Sequence, residues 1–402
     1  MVISLEFYLI LLFIFFSSLQ LLFLIYTRCY IGDFFLDTVK VSSIEIIGLY
    51  FFYISTLIFF WIFYKKFLIK LKLRNKYIKY DCSTKKFIDK FYFGLLILNF
   101  FITFLFGIKA NSKYTPHSLT FIINVYKIDI LFSFYYFLNR SKNKLYIVNI
   151  VGTIFLELIQ GWTGILFKAF IFELYFRLRG KVKIAKIISL TLLITTTSIL
   201  AYSLLYPIRE AIRHQNSDLK PLSLELSATF LLGRFSMFSN FVYIYQNSEI
   251  LTKISTKQLP FSFEEVRFFR IITPSFIGQY IYPEYANYGI GNILCLYRYN
   301  FYLENSCGFA PSLAGVLLIL YKRNFAELIF YLVFSLFILS ILAFIINLFN
   351  NRRILYFPFF FYITYFAYES GEMFVPFANM LVTLFAFLLT ILIYKKIKKF
   401  FN

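Results

Sequence analysis

Apolar runs of about 20 residues, separated by short polar clusters, recur along this chain and limit what it can fold into. A helix of that length crosses roughly 30 Å of hydrocarbon and satisfies its own backbone hydrogen bonds there. The 402 residues are 60% hydrophobic, a larger share than soluble domains usually have. The pattern predicts an all-α, polytopic integral membrane protein with about ten transmembrane helices.

The charge balance gives the orientation of these helices. The formal net charge is +21, from 41 Lys and Arg against 20 Asp and Glu. In a soluble protein this excess would suggest nucleic acid as a partner. Here the basic residues cluster in short loops beside apolar runs, as cytoplasmic loops do. The loop at about 65–90 is the most basic, so we expect both termini in the cytoplasm and no nucleic-acid partner.

The predicted organisation has three parts. Residues 1–206 hold transmembrane helices 1–7, residues 207–324 form a large periplasmic loop with amphipathic or re-entrant helices, and residues 325–402 hold helices 8–10 and a basic cytoplasmic tail. The predicted spans lie at about 3–26, 43–64, 91–108, 119–138, 145–160, 186–206, 325–349, 354–369 and 374–394, with one further span, the sixth, between the turn Gly161–Gly164 and the basic residues that begin at Arg177.

Two segments of the large loop allow more than one interpretation. Leu222–Tyr245 is weakly apolar and is interpreted as an amphipathic helix at the outer face, with a further span as the alternative. Ser312–Tyr321 is apolar but short. Treating it as a helix that does not cross the membrane leaves the later basic clusters on the cytoplasmic side.

The large loop is also where chemistry is expected, because six of the nine cations between Pro207 and Pro311 are Arg, although the whole chain has more Lys than Arg. Arg offers a planar, always charged fork that suits phosphate and carboxylate. These arginines are either phosphate ligands or partners of the loop's own acids. The candidates are Arg209, Arg213, Arg234, Arg267, Arg270 and Arg298.

Other candidate residues flank these arginines. His214 titrates near neutral pH and, with Glu304, is a candidate for acid–base catalysis. Trp162, Lys168 and Asn305 are candidates for substrate binding. Charges inside predicted spans mark either function or buried pairs that fix helix packing. These charges are Lys127, Asp129, Glu157, Lys168 and Glu173.

A metal-dependent phosphosugar transferase is a weaker alternative. Asp33 and Asp37 lie in the first outer loop, where such an enzyme often has carboxylates, but the loop has no further carboxylate cluster. We therefore expect no metal site and no cofactor.

Three short stretches, taken with the layout, resemble the Wzy family of O-antigen or capsular polysaccharide repeat-unit polymerases. This family is similar in architecture to the O-antigen ligases. The stretches are Gln160–Gly164, Leu232–Ser236 and Asn305–Ser312. The chain departs from the family pattern at Gly315, which Val316 follows instead of Glu, and at Lys168, which is displaced from the usual basic position.

The resemblance implies a metal-independent glycosyltransferase of the bacterial inner membrane. It would polymerise undecaprenyl-diphosphate-linked oligosaccharide units at the periplasmic face. Its partners would be the lipid-linked glycan, membrane lipids, and the chain-length regulator and flippase of the same pathway. The alternatives are a lipid-linked oligosaccharide flippase, an O-antigen ligase or another polyprenyl-phosphosugar-dependent glycosyltransferase. The large outer loop and the lack of an internal repeat in the sequence disfavour the flippase.

Reporter fusions test the predicted topology. A fusion after Asn402 is expected to report the cytoplasm, and a fusion within residues 246–260 is expected to report the periplasm. A cytoplasmic signal from the 246–260 fusion would mean that Leu222–Tyr245 crosses the membrane.

Overall fold

The computed structural model of the chain describes residues 2–35, 37–70, 81–106, 118–141, 143–214, 221–299, 309–349 and 352–401. These residues are almost entirely helical and include one short two-stranded antiparallel sheet. The predicted all-α class is confirmed.

The first half of the chain has eight α-helices within the described ranges. They are α1 (Leu5–Thr27), α2 (Ser43–Lys66), α3 (Cys82–Phe106), α4 (Ser118–Val125), α5 (Ile128–Leu138), α6 (Lys144–Ile159), α7 (Gly164–Arg177) and α8 (Ile187–His214).

Ten further α-helices follow in the described part of the second half. They are α9 (Leu224–Phe235), α10 (Phe238–Gln246), α11 (Ser248–Gln258), α12 (Phe263–Ile272), α13 (Ser275–Ile281), α14 (Ile290–Tyr299), α15 (Ser312–Arg323), α16 (Phe325–Leu348), α17 (Arg352–Tyr362) and α18 (Phe374–Phe401).

Among the described residues, six helices have the length and the apolar composition to cross a membrane: α1, α2, α3, α8, α16 and α18. Each corresponds to a predicted span. The other four predicted spans correspond to shorter helices. The predicted span at 119–138 is broken into α4 and α5 at Lys127, and the one at 354–369 is α17 followed by a π-helix, Ile363–Tyr368. The count of ten spans is therefore not confirmed.

The small sheet joins the start of α1 to the turn between α7 and α8. Strand β1 (Val2–Ser4) pairs antiparallel with β2 (Lys181–Lys183), with Ile3 opposite Val182. The Leu5 N–H extends this connection by donating to the carbonyl of Gly180 over 2.9 Å. Backbone hydrogen bonds thus hold together two elements that both lie on the predicted cytoplasmic side.

Helix α8 continues beyond the predicted end of the seventh span at Tyr206. It contains Pro207 and reaches His214. The proposed boundary between the first part and the large loop therefore does not coincide with the end of a helix, and Arg209 lies on the same helix as the span before it.

The segment predicted as a single amphipathic helix, Leu222–Tyr245, is two helices, so that prediction is wrong. Helices α9 and α10 are separated at Ser236, beside the middle of α1. Ser17 Oγ lies 2.9 Å from Ser236 Oγ, and Gln20 Nε2 donates to the Ser236 carbonyl over 2.6 Å. Gln20 Oε1 accepts from the Ser239 N–H over 2.8 Å. Side chains of α1 thereby satisfy backbone groups that the break would otherwise leave unpaired.

Helix α9 crosses the connection between α1 and α2 at a pair of glycines. A Cβ atom at Gly233 would lie 2.4 Å from the Cα of Gly32, and Gly32 has a φ of +81°. Two residues further on, the ring of Phe235 stacks on that of Phe16 with 4.4 Å between centroids. The absence of side chains at both glycines lets the two backbones approach this closely.

Helix α15 is short, as predicted. Its 12 residues span roughly 18 Å, less than the hydrocarbon core of a bilayer. Asn324 ends it and caps α16, since its Oδ1 accepts from the Ala326 N–H over 2.9 Å. The side chain of Arg323 bonds to Glu327 and to the carbonyls of Leu259 and Pro260, which ties this junction to the end of α11.

The glycine crossing can be tested by Gly233→Ala. The added methyl group would overlap the Gly32 backbone, which cannot move as a flexible side chain would. We expect a loss of about 1–3 kcal/mol of stability, typical of overpacking. Thermal unfolding of the purified protein in detergent measures it. Gly94→Ala in α3 is the matched control, because nothing lies within 4 Å of the added atom. Equal melting temperatures for the two variants would contradict the prediction.

Candidate functional site

A cavity of about 400 Å³ lies between α7, α8 and α9, and Tyr365 of the π-helix contributes to its wall. We call it the α7–α9 cavity. Most of its wall is apolar, and its charged groups are the guanidinium groups of Arg209 and Arg234. The lining residues are Trp162, Thr163, Gly164, Leu166, Phe167, Phe170, Thr197, Ser198, Ala201, Tyr202, Leu205, Arg209, Leu231, Arg234, Phe235 and Tyr365.

Helical periodicity explains why α8 contributes so many of these residues. Thr197, Ala201, Leu205 and Arg209 follow one another at intervals of four residues and share one face of the helix, and Tyr202 lies at its edge. That face changes along the helix from small and apolar side chains to Arg209 near its C-terminal end. The cavity therefore has a long apolar wall and a cationic end.

Arg209 is held in place by its neighbours on α8. Its Nη2 donates to Glu210 Oε1 over 2.9 Å, and its guanidinium lies 4.7 Å from the centre of the Tyr206 ring. The side chain is only 15% exposed. These contacts limit its freedom without occupying all five donors of the guanidinium group.

Arg234 is directed into the cavity by the glycine crossing. It follows Gly233 on α9, while Asp33 follows Gly32 on the crossing segment. The two side chains therefore meet, with Arg234 Nη1 3.8 Å from Asp33 Oδ1. Half of the Arg234 side chain, 49%, stays exposed and lines the cavity. A single ion pair at this distance leaves donors free for an anionic ligand.

Asp33 also connects the second and third sequence stretches. Its Oδ2 accepts from Asn240 Nδ2 over 3.0 Å and from the Ala310 N–H over 3.3 Å. Asn240 in turn donates to the Ala310 carbonyl over 2.8 Å. The described end of the third stretch, Phe309–Ser312, therefore lies beside the carboxylate that pairs with Arg234. Of the three stretches, two line the cavity and the third contacts Asp33.

Glu369 lies behind the cavity, between the π-helix and α18. Its Oε2 accepts from Tyr53 Oη over 2.8 Å and from the Met237 N–H over 2.9 Å. Burial raises its pKa to about 8, and these two donors only partly offset that effect. Tyr365, which lines the cavity, is within electrostatic range of both Arg234 and Glu369. A neutral carboxyl group at this point ties the α9–α10 break to α2 and orients α9.

The structure separates three other predicted arginines from this cavity. Arg298 pairs with Asp37, its Nη2 3.2 Å from Oδ1, and its guanidinium lies 5.3 Å from the centre of the Phe34 ring. It does not belong to the cavity lining. Arg267 and Arg270 line a second cavity, next to Lys127.

Of the other predicted residues, one lines the cavity and the rest either lie elsewhere or are not described. Trp162 lines the α7–α9 cavity. Lys168 is buried on α7, and its Nζ donates to the backbone carbonyl of Asp129 over 3.1 Å, which is a packing contact within the bundle. Glu304 and Asn305 lie outside the described residues, and the side chains of Arg213 and His214 lie outside the described part of the structure.

Sequence reasoning missed four residues of this region. Asp33 was considered only as a metal ligand, and Tyr202, Tyr365 and Glu369 were not candidates. Among the described residues, no group of three or more His, Cys, Asp or Glu side chains is placed to hold a metal ion. The turn at Glu369, acidic and adjacent to a predicted span, was the one available signal.

The arrangement suits a long apolar ligand with an anionic head. The apolar wall can hold a hydrocarbon chain, and two arginines from different helices can bind phosphate oxygens. Positive charge fixed by neighbouring residues also stabilises negative charge that develops on a leaving group.

Glu369→Gln tests the buried carboxyl group. In the unfolded chain this group ionises near its ordinary pKa of 4.5, whereas in the folded protein it stays protonated until about pH 8. Its stabilising contribution is therefore complete below pH 4.5 and is lost as the pH rises to about 8. Gln cannot titrate, so we expect the melting temperature of the variant to fall less than that of the wild type between pH 5 and 8.

Glu264 and Glu265, whose pKa values burial also raises, are present in both proteins, so their effect cancels in this comparison. Parallel melting curves for wild type and Glu369→Gln across this range would contradict the assignment of a neutral Glu369.

No protein-family model, no curated protein and no solved structure matches this chain. Its function is therefore inferred from its residues and their geometry.

Proposed function

We propose that this chain is a membrane glycosyltransferase that polymerises oligosaccharide repeat units carried on a polyprenyl diphosphate, at the outer face of the membrane that holds it. The observation that carries the proposal is the α7–α9 cavity, in which an apolar wall leads to Arg209 and Arg234. A polyprenyl diphosphate combines the same two features, a long hydrocarbon chain and a doubly anionic head.

In the proposed reaction, an acceptor hydroxyl oxygen attacks the anomeric carbon of the donor glycan. A glycosidic C–O bond forms, and the C–O bond to the lipid diphosphate breaks with its electron pair. The acceptor hydroxyl gives up its proton to water, and negative charge builds on the diphosphate. Arg209 and Arg234 stabilise that charge as the bond breaks, so transition-state stabilisation comes from preorganised donors.

The two arginines suit this role because neighbouring residues fix their positions. Arg234 sits beside Asp33 because of a contact between two backbones, and Arg209 is held by Glu210 and Tyr206. Such groups do not need to reorganise when charge develops. Lys would keep the charge but lose the paired N–H donors of the guanidinium plane.

Arg209→Lys and Arg234→Lys test this proposal in a strain that lacks the chromosomal gene. One lost hydrogen bond to a charged group costs roughly 1.5–3 kcal/mol. Polymerisation is therefore expected to slow by about tenfold to a hundredfold. The readout is the length of surface polysaccharide on a gel, with each variant at equal membrane abundance.

Arg177→Lys is the matched control. Arg177 is 76% exposed at the other end of α7, where it pairs with Glu173. We expect full-length polysaccharide from this variant, because the residue contributes to neither cavity. Full-length ladders from both Arg209→Lys and Arg234→Lys would remove the basis for the proposed site.

Deletion of the gene separates the alternative functions. Loss of a polymerase leaves single repeat units at the cell surface. Loss of a flippase leaves no unit there, and loss of a ligase leaves long polymer still attached to the lipid carrier. Only the first outcome agrees with the proposed function.

A further inference from the structure

A second cavity, of about 430 Å³, lies among the α4–α5 break, α12 and α18. We call it the α12–α18 cavity. It shares no lining residue with the α7–α9 cavity. Its polar lining includes three cations and three amides, and none of its lining residues is acidic. These six residues are Lys127, Arg267, Arg270, Asn124, Asn287 and Asn379.

Lys127 places a charge in a largely apolar stretch, and charges at such positions are rare and often functional. It separates α4 from α5, and its backbone N–H donates to Thr383 Oγ1 of α18 over 3.4 Å. Among the described residues its ammonium group has no hydrogen bond or ion pair. The acid that acts on it electrostatically is Asp129, two residues further along. A break in a helix does not require a positive charge, so the ammonium group of Lys127 points to a further role.

Arg267 and Arg270 are three residues apart on α12, so they share one face of the helix. Arg267 is anchored, with Nη2 3.1 Å from Glu372 Oε2. Arg270 lies against Gly278, where an added Cβ would come within 2.7 Å of its Nη1. Within the described part of the chain, Arg270 has no ion pair or side-chain hydrogen bond. The cavity therefore holds one anchored and two unpaired cations.

The nearby acids do not neutralise this charge. Glu372 is the partner of Arg267, and Glu264 is 4.0 Å from Arg267 Nη1. Burial raises the pKa of Glu264 to about 8, so this group is mostly protonated at neutral pH. Among the described residues, Arg270 therefore has no acid partner, and the acid that acts on Lys127 is Asp129, without an ion pair.

The depth of the cavity indicates a ligand that belongs to the membrane. Asn379 and Val382 follow the start of α18 at Phe374 by about one and a half to two turns, or roughly 7–12 Å. With Phe374 at the predicted outer surface, these residues lie just below the headgroup layer, which is roughly 5–8 Å deep on each side of a bilayer.

We propose that the α12–α18 cavity binds the phosphate or diphosphate group of a membrane lipid, separately from the α7–α9 cavity. The identity of that lipid rests on the proposed function. Polymerisation joins two glycans that are each carried on a polyprenyl diphosphate, so one cavity holds the donor headgroup and the α12–α18 cavity holds that of the acceptor.

Binding stoichiometry tests the proposal. The probe is undecaprenyl diphosphate, titrated into the full-length protein in phosphatidylcholine nanodiscs, with bound lipid counted per chain by native mass spectrometry. We expect two equivalents for the wild type and one for Lys127→Gln/Arg270→Gln, with the second equivalent weakened at least tenfold. Arg209→Gln/Arg234→Gln is expected to lose the other equivalent. The equivalent that each double variant retains shows that it is folded.

The control is Lys253→Gln, since Lys253 is exposed on α11 and lines neither cavity. It should keep both equivalents. Two equivalents of unchanged affinity in Lys127→Gln/Arg270→Gln would overturn the inference. A single equivalent in the wild type, lost in Arg209→Gln/Arg234→Gln, would overturn it too while leaving the proposed function supported.

Inorganic pyrophosphate as a competitor separates a lipid headgroup from a soluble anion. If pyrophosphate binds, undecaprenyl diphosphate does not, and Lys127→Gln/Arg270→Gln removes the binding, then the lipid occupant and the proposed function both fail. Displacement of the lipid only at pyrophosphate concentrations far above that of the lipid supports the lipid assignment.

Discussion

The contact between Gly32 and Gly233 determines how the parts of the α7–α9 cavity meet. Two backbones can come this close only where neither residue has a side chain. The residues that follow, Asp33 and Arg234, are then placed close together by the backbone itself. The same contact sets the depth of α9, so that Ser236 reaches the polar groups in the middle of α1. Packing and electrostatics at the candidate site therefore have a common steric origin.

Much of the architecture could be predicted, because hydropathy and length are local properties of the sequence. The six long helices are where the apolar runs lie, and α15 is as short as its sequence indicates. The breaks were harder to predict. At the Ser236 break, the Gln20 side chain donates to the backbone carbonyl of Ser236. At the Lys127 break, Thr383 Oγ1 accepts from the backbone N–H of Lys127. Gln20 and Thr383 are both far away in the sequence from the break that they bond to. A local pattern does not contain these partners.

The candidate site was predicted in part for the same reason. Arg209 and Arg234 were recognised from residue type and location, but Arg267 and Arg298 have the same type and lie in the same loop. Their ion-pair partners place them elsewhere: Arg267 pairs with Glu372, and Arg298 pairs with Asp37. Those acids come from other parts of the chain, so only the fold could assign the arginines to different places. Tyr202 and Tyr365 gave no signal, because single tyrosines are frequent in this sequence.

The π-helix before Glu369 has a consequence for how this region tolerates changes in length. A π turn accommodates more residues than an α turn, and such segments are typical of functional sites in helices. Because a π turn holds about one residue more than an α turn, deleting one residue between Ile363 and Tyr368 would close that turn to an α turn and shift Tyr365. Tyr365 would then leave the cavity wall although no residue of the wall had been replaced. The number of residues in this segment therefore matters for the cavity as much as the identity of the lining residues does. Insertions and deletions are better tolerated in the surface connections.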